Sequence, residues 1–269
     1  LFPHMSAQAN VEAALGHGFL RSAHELRQAL ESTLWTAGTL SLPFVRACHR
    51  APTQTIALAH RCETHLTIPS SNRASRAQGR ALLEALVRTF SEPHTMALQE
   101  AARSENVPLH LAPLFGACFA RLDAAEEDTA RLFLFTTLRS AVGAAVRLNI
   151  VGPFEGQRLQ ASLTPVLHDV AARTATLTVD QAGTSSPFWE IAAGTHDRLR
   201  TRLFQSLPPA PQGPQWPPPT IHRPNTRIHT DTTIRTGTRT TTATRTSTAT
   251  RTSTATRTTT ATRTSTATC

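Results

Sequence analysis

EEDTARLFLFTTLRSAVGAAVRL, residues 126–148, carries the longest periodic pattern in the chain, and its reading decides the fold class. Ala130, Leu134, Leu138, Val142 and Ala145 recur at intervals of three and four, so they share one side of a helix. Glu126, Glu127 and Asp128 stand at its start, where carboxylates complement the positive end of the helix dipole. The second half turns small, through Ala141, Gly143, Ala144 and Ala145, which would let a neighbouring helix approach closely.

The helical period continues in both directions. Upstream, Ser22 and Glu25 form a capping box, in which the hydroxyl accepts the third helical amide and the Glu reaches back. Leu26, Leu30 and Leu34 then make one apolar stripe. A further helix is expected from near Ser75 through Leu82, Leu83, Leu86, Val87 and Phe90, ended by Pro93. A short one should cover 95–104, and Phe115, Phe119 and Leu122 mark the face of another. Downstream of Pro153, Leu159, Leu163, Leu167 and Val170 predict one helix, and residues 190–205 predict the last. The only β-like alternation is Thr174–Val179. The expected class is all-α, a bundle of roughly seven to ten helices joined by short loops.

With 269 residues, 39% of them hydrophobic, the chain suffices for one sizeable core and hardly for two. The net charge of +9 is unevenly placed. Residues 1–206 carry 19 Arg against 17 Asp and Glu, a balance of +2; residues 207–269 carry 8 Arg against Asp231 alone, a balance of +7. Residues 207–219, LPPAPQGPQWPPP, read as a Pro-rich spacer. A TRTSTA-like repeat follows, with Arg239, Arg245, Arg251, Arg257 and Arg263 in register. Thr and Arg at that density bury too little to offset ordering entropy, so residues 207–269 are expected to be a disordered tail beside a helical domain at 1–206. The competing functional reading is an Arg-rich arm for nucleic acid.

Cys48, Cys62, Cys118 and Cys269 are scattered, which suits reduced thiols. The opening LFPHMSAQ lacks the basic start and apolar stretch of a signal peptide, and no segment approaches the ~20 apolar residues of a bilayer span. A cytoplasmic protein is expected. In AHRCETHL, His60, Cys62 and His65 are candidate metal ligands, against which stands the lack of a fourth ligand at a typical spacing. No Ser/His/acid arrangement and no phosphate-cradling Gly loop is evident, so a binding protein is expected rather than an enzyme.

Three stretches, in order, carry a family resemblance: NRASRAQGRALLEAL (72–86, with Ser75, Gln78 and Gly79), AAVRLNIVGPFEGQRL (144–159) and THDRLRTRLFQS (195–206). Together they resemble the urease accessory protein UreF family, and the RLNIVGP core looks like its plant and other eukaryotic members. NVEAALGHGFL near the start adds Glu12, at the place of the Glu in the family's Gly-Leu-Glu. Two departures stand out. The family's Gly-Gly-Phe and His-Ser motif is missing before that Glu, so the N-terminus reads as truncated or divergent. The C-terminal signature is followed by 63 further residues instead of standing near the chain end.

The resemblance implies a helical homodimer that performs no chemistry itself. Such a protein binds the UreH/UreD accessory protein, recruits the UreG GTPase and docks on apo-urease, so that nickel reaches the urease active site. It implies no stably bound cofactor, nickel being handled by the complex. By carry-over, Arg202, Leu203 and Phe204 are the expected UreH/UreD contact, with Arg147, Gln157 and Glu12 as further partner-binding candidates. Arg147 has an alternative role as a cation at a helix C-terminus.

Overall fold

A computed structural model describes residues 5–204 except 21, 91, 92 and 200–202. Eleven α-helical segments follow one another: α1 (Met5–Gly16), α2 (Ala23–Thr36), α3 (Leu42–Arg50), α4 (Thr55–His65), α5 (Pro69–Phe90), α6 (Pro93–Ser104), α7 (Leu111–Arg121), α8 (Glu126–Arg147), α9 (Pro153–Ser162), α10 (Thr164–Arg173) and α11 (Pro187–Thr195). A π turn at Ala37–Ser41 carries α2 directly into α3, and Leu163 alone separates α9 from α10. Among the described residues these segments make nine rods when α2–α3 and the bent pair α9–α10 are each taken as one, within the expected seven to ten. Among the described residues there is no strand. Thr174–Val179 is a turn leading into a short 3-10 stretch at Val179–Gln181, because Thr174 turns its hydroxyl back to the Val170 carbonyl at 2.8 Å and closes α10 instead of extending. The Pro-rich spacer and Thr/Arg tail lie outside the described residues.

α8 is the central rod, with α1, α2, α3, α7, α9 and α10 packed around it. Its predicted stripe is buried throughout, as is the Leu26–Leu30–Leu34 stripe of α2. The Ser22 hydroxyl accepts the Glu25 amide at 3.2 Å, which is the first of the two bonds of the expected capping box. The small residues Ala141, Ala144 and Ala145 admit α1, which offers Ala7, Val11, Ala13 and Ala14 to the same core. Gly143, by contrast, faces open space.

Several boundaries differ from expectation. α5 begins at Pro69, six residues ahead of Ser75, since proline is pre-organised for the first helical turn. The helix read through Leu159–Val170 is two, α9 and α10, with Pro165 near the start of the second. The last helix stops at Thr195, and a 3-10 turn at His196–Arg198 follows.

RLNIVGP acquires a physical explanation. Asn149 takes the left-handed conformation (φ 57°), which its short polar side chain tolerates, and the Ile150 amide reaches back to the Ala145 carbonyl at 2.9 Å. That bond ends α8; Gly152 then caps α9 and Pro153 starts it. The Gln-Gly pair is equally structural. A Cβ on Gly79 would stand 2.0 Å from the Leu109 carbonyl oxygen, so α5 can lie against the start of α7 only without one. Gly116 does the same for α7 on α3, where a Cβ would stand 2.0 Å from the Val45 oxygen.

Gly116→Ala should therefore destabilise the fold by about 1–3 kcal/mol through overpacking. Gly143→Ala should stabilise it by about 0.5–1 kcal/mol through helix propensity alone. Chemical denaturation of the two variants measures both signs.

Candidate functional site

Glu12 lies on the buried side of α1 and is 6% exposed. A carboxylate in that position needs donors, because a buried acceptor left unpaired costs several times what a normal hydrogen bond contributes. It takes them from the far end of the described chain. Oε2 accepts from His196 Nε2 at 3.0 Å and from the Phe204 amide at 3.1 Å, and Oε1 accepts the Leu203 amide. One carboxylate thus fixes two consecutive backbone amides and an imidazole.

Neighbouring contacts hold the same segment. Asp197 pairs with Arg73 of α5 at 2.6 Å, and Ser70 donates to the Ala193 carbonyl at 2.8 Å. Leu199 covers Gly16, where a Cβ would meet its Cδ2 at 2.8 Å. Phe204 is 7% exposed, and the Arg147 guanidinium lies 5.8 Å from its ring centre, within cation–π range. Leu203 is the opposite: its backbone is bound to Glu12 while its side chain is 59% exposed.

Four sequence-predicted residues, Glu12, Arg147, Leu203 and Phe204, therefore meet at one end of the bundle. Arg202 lies outside the described residues. Gln157 is exposed on α9 and takes no part in this cluster. His60, Cys62 and His65 do not converge, because His60 stands about 160° around α4 from Cys62 and about 140° from His65. His60 is exposed, Cys62 is buried with its thiol pushed up by burial, and His65 sits edge-on to Phe44 at 5.3 Å. Among the described residues no group of three or more His, Cys, Asp and Glu is placed to hold a metal ion.

The UreF family model matches residues 20–164. Urease accessory protein F of Arabidopsis thaliana is 32% identical over 202 residues, covering 73% of this chain and 83% of the relative. Its counterpart in Oryza sativa subsp. indica is 30% identical over 198 residues, covering 72% and 76%. The urease accessory protein UreF of Mycobacterium sp. (strain JLS) is 30% identical over 197 residues, covering 73% and 88%. The chain belongs to the UreF family.

In this UreF-family chain, two polar clusters escaped the sequence reading. Arg46, 4% exposed on α3, donates to Glu126 at 3.1 Å, to Glu127 at 2.8 Å and to the Ala171 carbonyl at 3.1 Å. Arg50 adds a two-pronged contact to Glu126 at 2.7 and 2.6 Å. Burial pushes Glu126 up, but the hydrogen bonds and charges of Arg50 and Arg46 outweigh it and hold the carboxyl below its ordinary value. The acidic run is thus an ion-pair partner as well as a dipole complement. An isolated Arg within the apolar stretch LPFVRAC was the available signal.

The second cluster joins α4, α5 and α7. His110, fully buried, donates Nε2–H to Glu63 at 2.6 Å and accepts from the Ser75 hydroxyl at Nδ1, 3.2 Å away. No such Ser/His/acid arrangement was legible in the sequence, since its members lie 35 and 47 residues from His110. Its chemistry is structural. The Ser75 oxygen is occupied by the Leu111 amide at 3.2 Å, one of the orphan donors at the start of α7. Burial, only partly offset by Glu63, depresses the basicity of His110. Burial also pushes Glu63 up, but bonds from His110 and Asn72 outweigh it and the net shift is downward. Among the described residues, no helix is long and apolar enough to cross a membrane.

A His held below its ordinary value of 6.5 binds its proton more weakly folded than unfolded, so its contribution to stability falls as pH drops below 6.5. The lowered Glu63 adds a loss at lower pH, below its ordinary 4.5. The unfolding midpoint should therefore decline on acidification, and His110→Gln should flatten the part of that decline just below pH 6.5. Thermal melts of both proteins across pH 5–8 check this expectation.

Proposed function

We propose that this chain is a non-catalytic scaffold of urease maturation, working through the end of the bundle where Glu12 holds Leu203 and Phe204. The observation that carries the reading is the contrast between two adjacent residues. Phe204 is spent inside, against Arg147, while Leu203 is held rigidly by its backbone and turned to solvent. A backbone fixed in advance leaves only the side-chain rotamers to be ordered on binding, which suits an interface anchor. The curated relatives are named urease accessory proteins, which supports placing the partner in that pathway.

In this reading the UreH/UreD accessory protein takes Leu203, together with Arg202, whose fork of donors suits a carboxylate partner. The complex then recruits the UreG GTPase and delivers nickel to apo-urease in the cytoplasm, with the metal as cargo. Gln157 would contribute a further polar contact, and a homodimer would present two such ends. Residues 1–206 carry the activity, and the Thr/Arg tail is dispensable.

Leu203→Asp should reduce co-purification of UreH/UreD at least about tenfold, the effect of desolvating a charge at an anchor position, while helicity and melting temperature stay unchanged. Retention of the partner at wild-type level would remove Leu203 from the contact.

A further inference from the structure

A cleft of about 220 Å³ lies where the Pro52–Gln54 turn and the start of α4 meet the first half of α6 and the end of α7. An engineered cavity of about 150 Å³ takes up a benzene ring, so a ligand of that size fits here with room for one small substituent.

The cleft follows from the way α6 packs. Ala102 of α6 and Val107 beyond it join Ala59 of α4 in a small apolar cluster of their own, apart from the main core. Nearer its start α6 contributes Ala97, Leu98 and Ala101 to the cleft, and Pro52, Ile56 and Ala117 complete an apolar wall. A ligand that covered this wall would gain from the apolar area removed from water.

One cation stands out beside that wall. Arg121, in the last turn of α7, is half-buried and lines the cleft. Every other buried or half-buried arginine among the described residues reaches a carboxylate: Arg27, Arg46, Arg73 and Arg76. Arg121 forms no hydrogen bond or ion pair with any described residue, and the same holds for His94, exposed near the start of α6 at the rim. At the end of α7 the charge of Arg121 complements the helix dipole, but that role leaves its N–H fork unused.

The sign of the ligand's charge follows. No Asp or Glu side chain lines the cleft, and a guanidinium can only donate. The wall hydroxyls donate to an anion as well as they accept from a cation, so Arg121 decides the preference. A bare anion would leave the apolar wall wet, and a hydrocarbon would strip water from the guanidinium without replacing it. A ligand with both an anionic head and an apolar body meets both demands.

We propose that this cleft binds a small monocarboxylate with a compact apolar body about the size of a benzene ring. The carboxylate takes the guanidinium fork of Arg121, a two-pronged pairing suited to its planar shape, and the body lies against Ile56, Leu98 and Ala101. Bound in this way it bridges α6 to α7. The site shares no residue with the docking end and does not rest on the scaffold role.

Four solutes separate the possibilities at neutral pH. Benzoate has the head and the body, benzamide the body without charge, acetate the head alone, and benzylammonium the opposite charge. Each is titrated into the isotope-labelled full chain while amide chemical shifts are followed. Benzoate should give saturable shifts confined to residues around Ile56, Leu98, Ala101 and Arg121. Benzamide and acetate should bind at least about tenfold more weakly, since each lacks either the charged hydrogen bonds or the apolar contact, and benzylammonium should not bind. Arg121→Gln should abolish the preference for benzoate over benzamide, and Ala101→Leu, which fills the cleft, should remove both responses. Equal binding of benzamide would mean a hollow without selectivity for anions, and equal binding of acetate an anion held at the surface alone. Stronger binding of benzylammonium, no saturable response to any solute, or an unchanged preference in Arg121→Gln would likewise overturn the proposal. The four-solute comparison stands on the unmutated chain even if Ala101→Leu fails to fold.

Discussion

A carboxylate buried on the first helix has to find donors, and Glu12 finds them at the other end of the described chain. Its two oxygens take His196 and the amides of Leu203 and Phe204, so residues near 12 and near 204 must come together for either end to be satisfied. α1 already touches α5, α8 and α11 through its small apolar face. The carboxylate adds direction to contacts that apolar packing alone leaves non-directional. The consequence is that the backbone amides of Leu203 and Phe204, which belong to no helix, are fixed by a side chain.

The same solution recurs at two helix starts. α7 begins with its Leu111 amide on the Ser75 hydroxyl, itself held by the His110–Glu63 pair. α8 begins with Glu126 and Glu127 on Arg46, whose guanidinium also reaches the end of α10. At α7 a side chain from another element takes up a backbone amide that the helix start cannot pair by itself, whereas at α8 it is the carboxylates of the first turn that are paired. Polar atoms thereby collect at the ends of rods while alanine and leucine fill the space between them.

Much of this architecture is local in origin and therefore legible in the sequence. The stripes of α2 and α8, the Ser22 cap and the stop at RLNIVGP depend on residues within one or two turns of each other. The break between α9 and α10 had one local mark, Pro165, which the regular spacing of Leu159, Leu163, Leu167 and Val170 overrode in the reading. The alternation at Thr174–Val179 has the period of a strand but, among the described residues, no partner strand to pair with. At the candidate site, the resemblance pointed to Glu12, Leu203 and Phe204 as separate partner contacts. The structure shows Glu12 turned inward, supporting the other two. Arg46, His110 and His196 were missed because a buried polar residue is recognisable only by partners distant in sequence.

The central claim is that Glu12 acts on partner binding by holding Leu203 in place. The measurement that tests it most directly is a double-mutant cycle on affinity for the UreH/UreD partner, using Glu12→Gln, Leu203→Asp and the pair. The account predicts that each single change weakens binding and that the second adds little once the first is made. Unchanged affinity for Glu12→Gln, or losses that simply add, would contradict it.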